Sequence, residues 1–201
     1  MEIFPAIKYN KTMTDYANDD RFPGPDPYAP LRQVPSFPLH SNDFALGSRI
    51  PEIHTAPSNQ SPHLQWSDLP AETRSIAITC FDPDAPTASG YWHWAVFNLP
   101  PTVVELPTGA GQADTSLLGL SQTTTLGCDS GVFGYYGPRP PAGHGPHRYL
   151  FAVHALDVDH LDLPASTPAA VLGFHLNFHS LARSIYWGWY ETTGYETTGE
   201  H

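Results

Sequence analysis

Lysine and cysteine are both nearly missing from this chain. Lys8 and Lys11 are its only lysines, and nine Lys and Arg face twenty Asp and Glu, a formal net charge of −11. Such a surface repels phosphate backbones and anionic bilayers, so nucleic-acid binding and electrostatic membrane docking are not expected. Cys80 and Cys128 are the only cysteines. Cys80 lies inside an apolar alternating run, where a buried free thiol is the ordinary state, so no disulfide framework is expected. No apolar run is long enough to cross a bilayer, and an integral membrane protein is not expected. The first residues, Met-Glu-Ile-Phe-Pro, lack the basic and apolar regions of a secretory signal, so the expected location is cytoplasmic.

Proline and glycine, by contrast, are abundant. Twenty-two prolines and 16 glycines in 201 residues, with a charged fraction of only 14%, favour short strands and turns over long helices. The chain is long enough for one domain with a sizeable core. Residues 1–36 are proline-rich and without hydrophobic period, and read as an irregular or extended arm, either wrapped on the domain or partly disordered. Residues 37–190 form the domain proper. Residues 191–201 continue as a tail in which Tyr-Glu-Thr-Thr-Gly occurs twice, from Tyr190 and from Tyr195.

Three strands stand out. Ser75–Phe81 places Ile76, Ile78, Cys80 and Asp82 on one face. Trp92–Leu99 places His93, Ala95 and Phe97 on one face and Trp92, Trp94 and Val96 on the other. His147–Leu156 places His147, Tyr149, Phe151 and Val153 together. Their faces are apolar on both sides, as in interior strands of a sandwich. Weaker strands are read at Phe37–Ser41, Ile50–His54 and Ser61–Trp66. One helix is expected over residues 168–186, opened by Pro168, with Val171, Phe174, His175, Phe178, Leu181, Ala182 and Ile185 on its packed stripe. Trp187–Tyr190 reads as a returning strand.

The chemistry gathers at strand ends. The first two strands are joined by Asp82-Pro-Asp-Ala-Pro86, a turn stiffened by its prolines. It carries two carboxylates, with His93 early in the return strand, so Asp82, Asp84 and His93 are expected within mutual reach. A carboxylate beside an imidazole fixes its tautomer or keeps it protonated. Two such imidazoles, His93 and His147, can donate N–H groups to an anion. Backbone N–H groups of the Gly143-His-Gly-Pro loop could add donors, and Tyr149 can offer its hydroxyl. Histidines that merely satisfy buried partners would leave the same sequence pattern.

The turn Asp82-Pro-Asp-Ala-Pro86 followed by Trp92-His-Trp, and the segment Gly137-Pro-Arg-Pro-Pro-Ala-Gly-His-Gly-Pro-His-Arg-Tyr149, resemble the two signature motifs of the phosphatidylethanolamine-binding protein family. That family is also called Raf-kinase-inhibitor-like. Ser61–Trp66 and Gly173–Leu181 extend the resemblance, most closely to the bacterial and archaeal YbhB/YbcL branch, from about Phe37 to Tyr190. It implies a mainly β fold, a β-sandwich on a large antiparallel sheet with one or two short helices. It implies a cavity for small anions such as phosphate, phosphorylethanolamine or acetate. Asp82, His93 and His147 would line that cavity, framed by Asp84, Pro86, Pro140, Pro141 and Tyr149. It further implies a cis Ala85–Pro86 bond and a homodimer, and its name raises kinase inhibition. Thr55–Gln60 departs from the family pattern ahead of Ser61-Pro, and the arm before Phe37 is additional.

The reading is therefore a non-enzymatic binding protein for a phosphoryl headgroup or small anion, with no cofactor. One alternative is an interaction module that docks a phosphorylated partner in the same pocket. A second, weaker alternative is a metal-dependent hydrolase using His93, His147 and Asp82. No Gly-x-Ser-x-Gly elbow surrounds any serine. His175 and His179 share the i,i+4 spacing of a zinc helix but lack the intervening glutamate, so a packed histidine is expected there.

Overall fold

In a computed structural model, residues 16–111 and 122–194 are described. The fold is two antiparallel sheets. Strands β1 (Leu39–His40) and β2 (Leu64–Trp66) pair with β5 (Glu105–Leu106) in the order β1-β2-β5. The larger sheet has the order β6-β4-β3-β7-β8 and comprises β3 (Ser75–Asp82), β4 (Tyr91–Leu99), β6 (Thr124–Thr125), β7 (His147–Leu156) and β8 (Ser180–Tyr190). Helix α1 (Ala169–His179) connects β7 to β8.

Runs rich in β-branched and aromatic residues make the long strands, and burial on both faces explains their composition. From β7, Tyr149, Phe151 and Val153 meet Ile76, Ile78 and Cys80 of β3 and Leu64 and Trp66 of β2 in the core between the sheets. The opposite face of the large sheet has two covers. Ala77, Ala95 and Phe97 pack under Ala169, Leu172 and Leu176 of α1. Leu150, Ala152, Ile185 and Trp187 pack under Tyr16, Phe22 and Tyr28 of the N-terminal segment. Of the two states open to the arm, its described part is wrapped on the domain and supplies core aromatics to the sheet. Both cysteines are free.

Three expectations about elements are corrected. Residues Glu52–His54 form a 3-10 turn, not a strand. The helix expected over 168–186 ends at His179, and Ser180–Tyr190 is a strand paired with the whole of β7. Ala182 faces the inter-sheet core while Ile185 faces the N-terminal segment. With both faces buried, apolar residues recur in no period that separates a strand from a helix. The stripe on α1 is also different. Val171, Phe174 and Phe178 are exposed at 42%, 63% and 57%. His175 lies half-buried beside them, its ring stacked on that of His179. Apolar residues on every side of this helix left its inward face unmarked.

Candidate functional site

The site is built where β3, β4 and β7 end at the same edge of the large sheet. A bulge does the decisive work. Cys80 pairs with Trp94 but Phe81 pairs with Trp92, so His93 is an extra residue in β4. A bulge sends consecutive side chains to one side and breaks the alternation. Trp94 consequently packs in the inter-sheet core while Trp92 packs beneath α1, although simple alternation put them on one face. The same displacement separates His93 from Ala95 and turns its ring against Tyr149, 5.0 Å away edge-on.

The connection between β3 and β4 turns on trans peptide bonds at Ala85–Pro86. Among the described residues the cis peptide bond is Ala56–Pro57, which overturns the expected cis corner. The corner is made by hydrogen bonds instead. The Asp84 N–H donates to Asp82 Oδ1 at 2.8 Å, and the Thr87 N–H donates to the Ala85 carbonyl at 2.7 Å. An aspartate that accepts from the backbone two residues on is a common turn device.

This turn sends its two carboxylates in different directions. Asp82 is 2% exposed and accepts from His147 Nδ1 at 2.8 Å. Asp84 does not line the cavity. It grips Arg148, which is fully buried, through Nη2–Oδ1 at 2.6 Å and Nε–Oδ2 at 2.8 Å. Arg148 also donates to the carbonyls of Tyr16 and Gly24, so Asp84 serves the anchorage of the N-terminal segment behind the site.

Beyond Asp82 opens a cavity of about 280 Å³. Its walls include Asp82, His93, His147, Tyr149, Pro86, Pro140 and Pro141, all singled out in the sequence. Ala85, Thr87, Tyr91, Tyr136 and Arg139 complete it. Arg139 lay inside the second motif, and Tyr91 continues the run of β4. Both were legible signals that the site assignment did not use. The lining includes none of residues 142–146, so the Gly143–Pro146 loop does not bring its backbone to the cavity. The loop from Gly137 instead leans on residues 54–59. The Gly137 N–H donates to Asn59 Oδ1, and the Ala56 N–H donates to the Pro138 carbonyl. A Cβ on Gly137 would stand 2.5 Å from the His54 carbonyl oxygen, so this close approach requires glycine.

The two imidazoles are held differently. His93 Nδ1 donates to the Tyr136 carbonyl at 2.6 Å, and its Nε2 lies 3.9 Å from Asp82 Oδ2, beyond hydrogen-bonding distance. Burial holds the His93 pKa below the ordinary histidine value, with the nearby Asp82 charge pulling in the other direction. His147, 2% exposed, has its Nδ1 on Asp82 and its Nε2 2.7 Å from His144 Nδ1. Tyr149 is fully buried, and the acceptor that bears on its hydroxyl is the Asp82 carboxylate. Burial also pushes its pKa well up, which keeps it a neutral donor. Among the described residues, no group of three or more His, Cys, Asp or Glu side chains is arranged to hold a metal ion. Asp82 and His147 point at one another rather than at a shared third point.

Comparison with known proteins gives the geometry a context. The family model described as phosphatidylethanolamine-binding protein matches residues 40–191. The UPF0098 protein YbhB of Escherichia coli K12 is 46% identical over 151 residues, which is 72% of this chain and 93% of that protein. The UPF0098 protein YbcL of the same organism is 37% identical over 156 residues, 75% of this chain and 85% of that protein. Among solved structures, E. coli YbcL, titled a new member of the mammalian PEBP family, superposes with a TM-score of 0.74 at 36% identity, covering 78% of this chain and 99% of that one.

Proposed function

The chain belongs to the phosphatidylethanolamine-binding protein family, and from that premise we propose that its cavity binds the phosphoryl or carboxylate group of a small anionic ligand without transforming it. The observation that carries this reading is the make-up of the cavity wall, where two imidazoles and one arginine stand with a single carboxylate. His147, held by Asp82, and His93 supply N–H groups once each carries a proton on Nε2. The Arg139 guanidinium in the wall adds positive charge suited to oxyanions. Asp82 is the single carboxylate of the lining, and His147 already engages it.

Size supports a headgroup rather than a whole lipid. At about 280 Å³ the hollow falls just short of the range of about 300–1,000 Å³ typical of drug-sized ligands. Phosphate, phosphorylethanolamine or acetate fits that scale. The lining also favours binding over catalysis. Its one aliphatic hydroxyl, Thr87, donates to the Gly90 carbonyl and has no base beside it.

Isothermal calorimetry with phosphate and phosphorylethanolamine tests the reading. Each should bind the wild-type protein, and His147→Ala should weaken binding about 10- to 100-fold, the worth of one charge-assisted hydrogen bond. Unchanged affinity in that variant would sink the proposal. Titration with a phosphoserine peptide in place of phosphorylethanolamine separates a lipid headgroup from a phosphorylated partner.

A further inference from the structure

His147 has no ring nitrogen to spare. Its Nδ1 is committed to Asp82 Oδ2 at 2.8 Å and its Nε2 to His144 Nδ1 at 2.7 Å. The ring of His144 meets that of His147 edge-on, with centroids 4.9 Å apart. Two proton arrangements fit this contact. A neutral His147, its proton on Nδ1, accepts from His144 Nδ1–H. A charged His147 donates Nε2–H to the lone pair of a neutral His144. In either case the nitrogen that an anion would use is already occupied by a side chain of the same protein.

The occupant is held lightly. His144 is exposed, whereas His147 is buried. It stands between Gly143 and Gly145, whose φ angles are +78° and +89°, and a Cβ added to either glycine would meet no atom within 4 Å. Open space on both sides and glycine on both sides leave the ring free to swing on its own short loop. The backbone tie there is a turn, the His144 N–H donating to the Pro141 carbonyl at 3.1 Å. Since Pro141 itself lines the cavity, the ring swings beside the wall through which a ligand meets His147.

We propose that His144 is a built-in competitor of the ligand. It caps His147 Nε2 until an oxyanion takes that nitrogen, and the His144 ring then turns away into solvent. The contact thereby sets the threshold affinity of the site, and it selects for ligands whose charge exceeds the pull of one neutral imidazole. The proposal rests on the anion-binding reading above and adds a residue that lies outside the cavity lining.

The size of the effect follows from the bond displaced. A hydrogen bond exchanged for water is worth about 0.5–1.5 kcal/mol net, so removing the competitor should tighten anion binding about 2- to 10-fold. His144→Ala is the variant, since the residue is exposed and its loss removes no core packing. Phosphate calorimetry on wild type, His144→Ala and His147→Ala reads the answer. Tighter binding in His144→Ala supports the competitor. Equal or weaker binding in that variant overturns it, weaker binding making His144 a ligand in its own right. These results leave the anion-binding reading standing if His147→Ala loses affinity, so the two ideas fail separately. If neither wild type nor His144→Ala binds phosphate, both fall. Imidazole NMR gives a second measure: on saturation with phosphate, contacts between the two rings should vanish, and their persistence would count against displacement.

Discussion

Two clusters of buried imidazoles with neighbouring carboxylates sit in this domain, and one of them lines the cavity. In the first, Asp43 Oδ2 accepts from the His63 N–H at 2.6 Å and from the Thr108 hydroxyl at 2.7 Å. His63 takes the Asn42 N–H on Nδ1 and reaches Glu105 with Nε2 at 3.1 Å, while His54 Nδ1 bonds the Gln60 carbonyl at 2.8 Å. Here too one imidazole nitrogen stands off its carboxylate, His54 Nε2 lying 3.6 Å from Asp43 Oδ2. In the second, around Asp82, His93 Nε2 has Asp82 no nearer than 3.9 Å, and both side chains belong to the cavity wall. An acid beside an imidazole is therefore not in itself a site. What marks the second cluster is its place in the wall of a cavity.

A third imidazole sharpens the comparison and carries the largest expected effect. His154 has no carboxylate. It is 3% exposed, and its Nδ1 bonds Ser180 Oγ, which in turn donates to the Leu176 carbonyl. Burial, with a lesser contribution from the Arg183 charge, lowers its pKa to about 3. The folded protein thus refuses a proton that the unfolded chain accepts near its ordinary value of about 6.5. Stability contributed in this way is whole above pH 6.5 and is lost as the pH falls toward 3. The loss approaches about 1.4 kcal/mol per pH unit, or several kcal/mol across the window. Urea denaturation between pH 7 and 4 should show a shallower decline for His154→Asn than for wild type. Parallel declines would mean that His154 is not held neutral by the fold.

The next effect separates the two clusters directly. Asp43→Ala strands the buried His63 backbone N–H, while the exposed Thr108 hydroxyl turns to water, and it should cost about 1–3 kcal/mol of stability while leaving phosphate affinity within about twofold. His147→Ala should lose phosphate affinity, and because it leaves the buried Asp82 carboxylate without its imidazole partner it should cost stability as well. Measuring both quantities on both variants decides the matter. If Asp43→Ala impairs phosphate binding as strongly as His147→Ala, the clusters are one functional unit and the distinction collapses.

How much of this was legible in the residues alone depends on what each feature changes. Ser75–Asp82, Tyr91–Leu99 and His147–Leu156 announced themselves because a long buried strand demands a composition that few other elements have. Asp82, His93 and His147 came from motif spacing, and the fold does bring them to one cavity. The bulge at His93 was invisible, since one inserted residue reverses the faces of a strand without altering its composition. Asp84 was misplaced for a related reason. Two residues from Asp82, it shares a face in an extended chain, but the turn swings it back onto Arg148. The boundary between α1 and β8 was hidden because Ser180 is followed by a strand buried on both sides. A wrapped N-terminal arm was one of the two readings open to its composition, but the prolines hid which aromatics, Tyr16, Phe22 and Tyr28, make the cover.

The smallest effect tests whether His93 contributes its free nitrogen at all. Its Nδ1–H is spent on the Tyr136 carbonyl, so an anion can be met by this ring only through a proton on Nε2. Burial opposes that proton in the ligand-free protein, and Asp82 favours it. The other ionisable groups around the ring are His147, Tyr91, Tyr136, Tyr149, Arg139 and Asp129. A bound anion adds a favouring charge, so binding and proton uptake are coupled. Affinity should then rise as the pH falls, by at most about tenfold per unit and by a few fold between pH 7.5 and 6.5, levelling off once His93 is protonated without ligand. Sulfate is the better probe here, because it does not titrate in this range and leaves the protein groups to account for any dependence. Calorimetry in two buffers of different ionisation enthalpy should report net proton uptake in wild type and less in His93→Gln. Sulfate binding that is flat from pH 6 to 8 in both proteins would make His93 an imidazole serving the wall rather than the ligand.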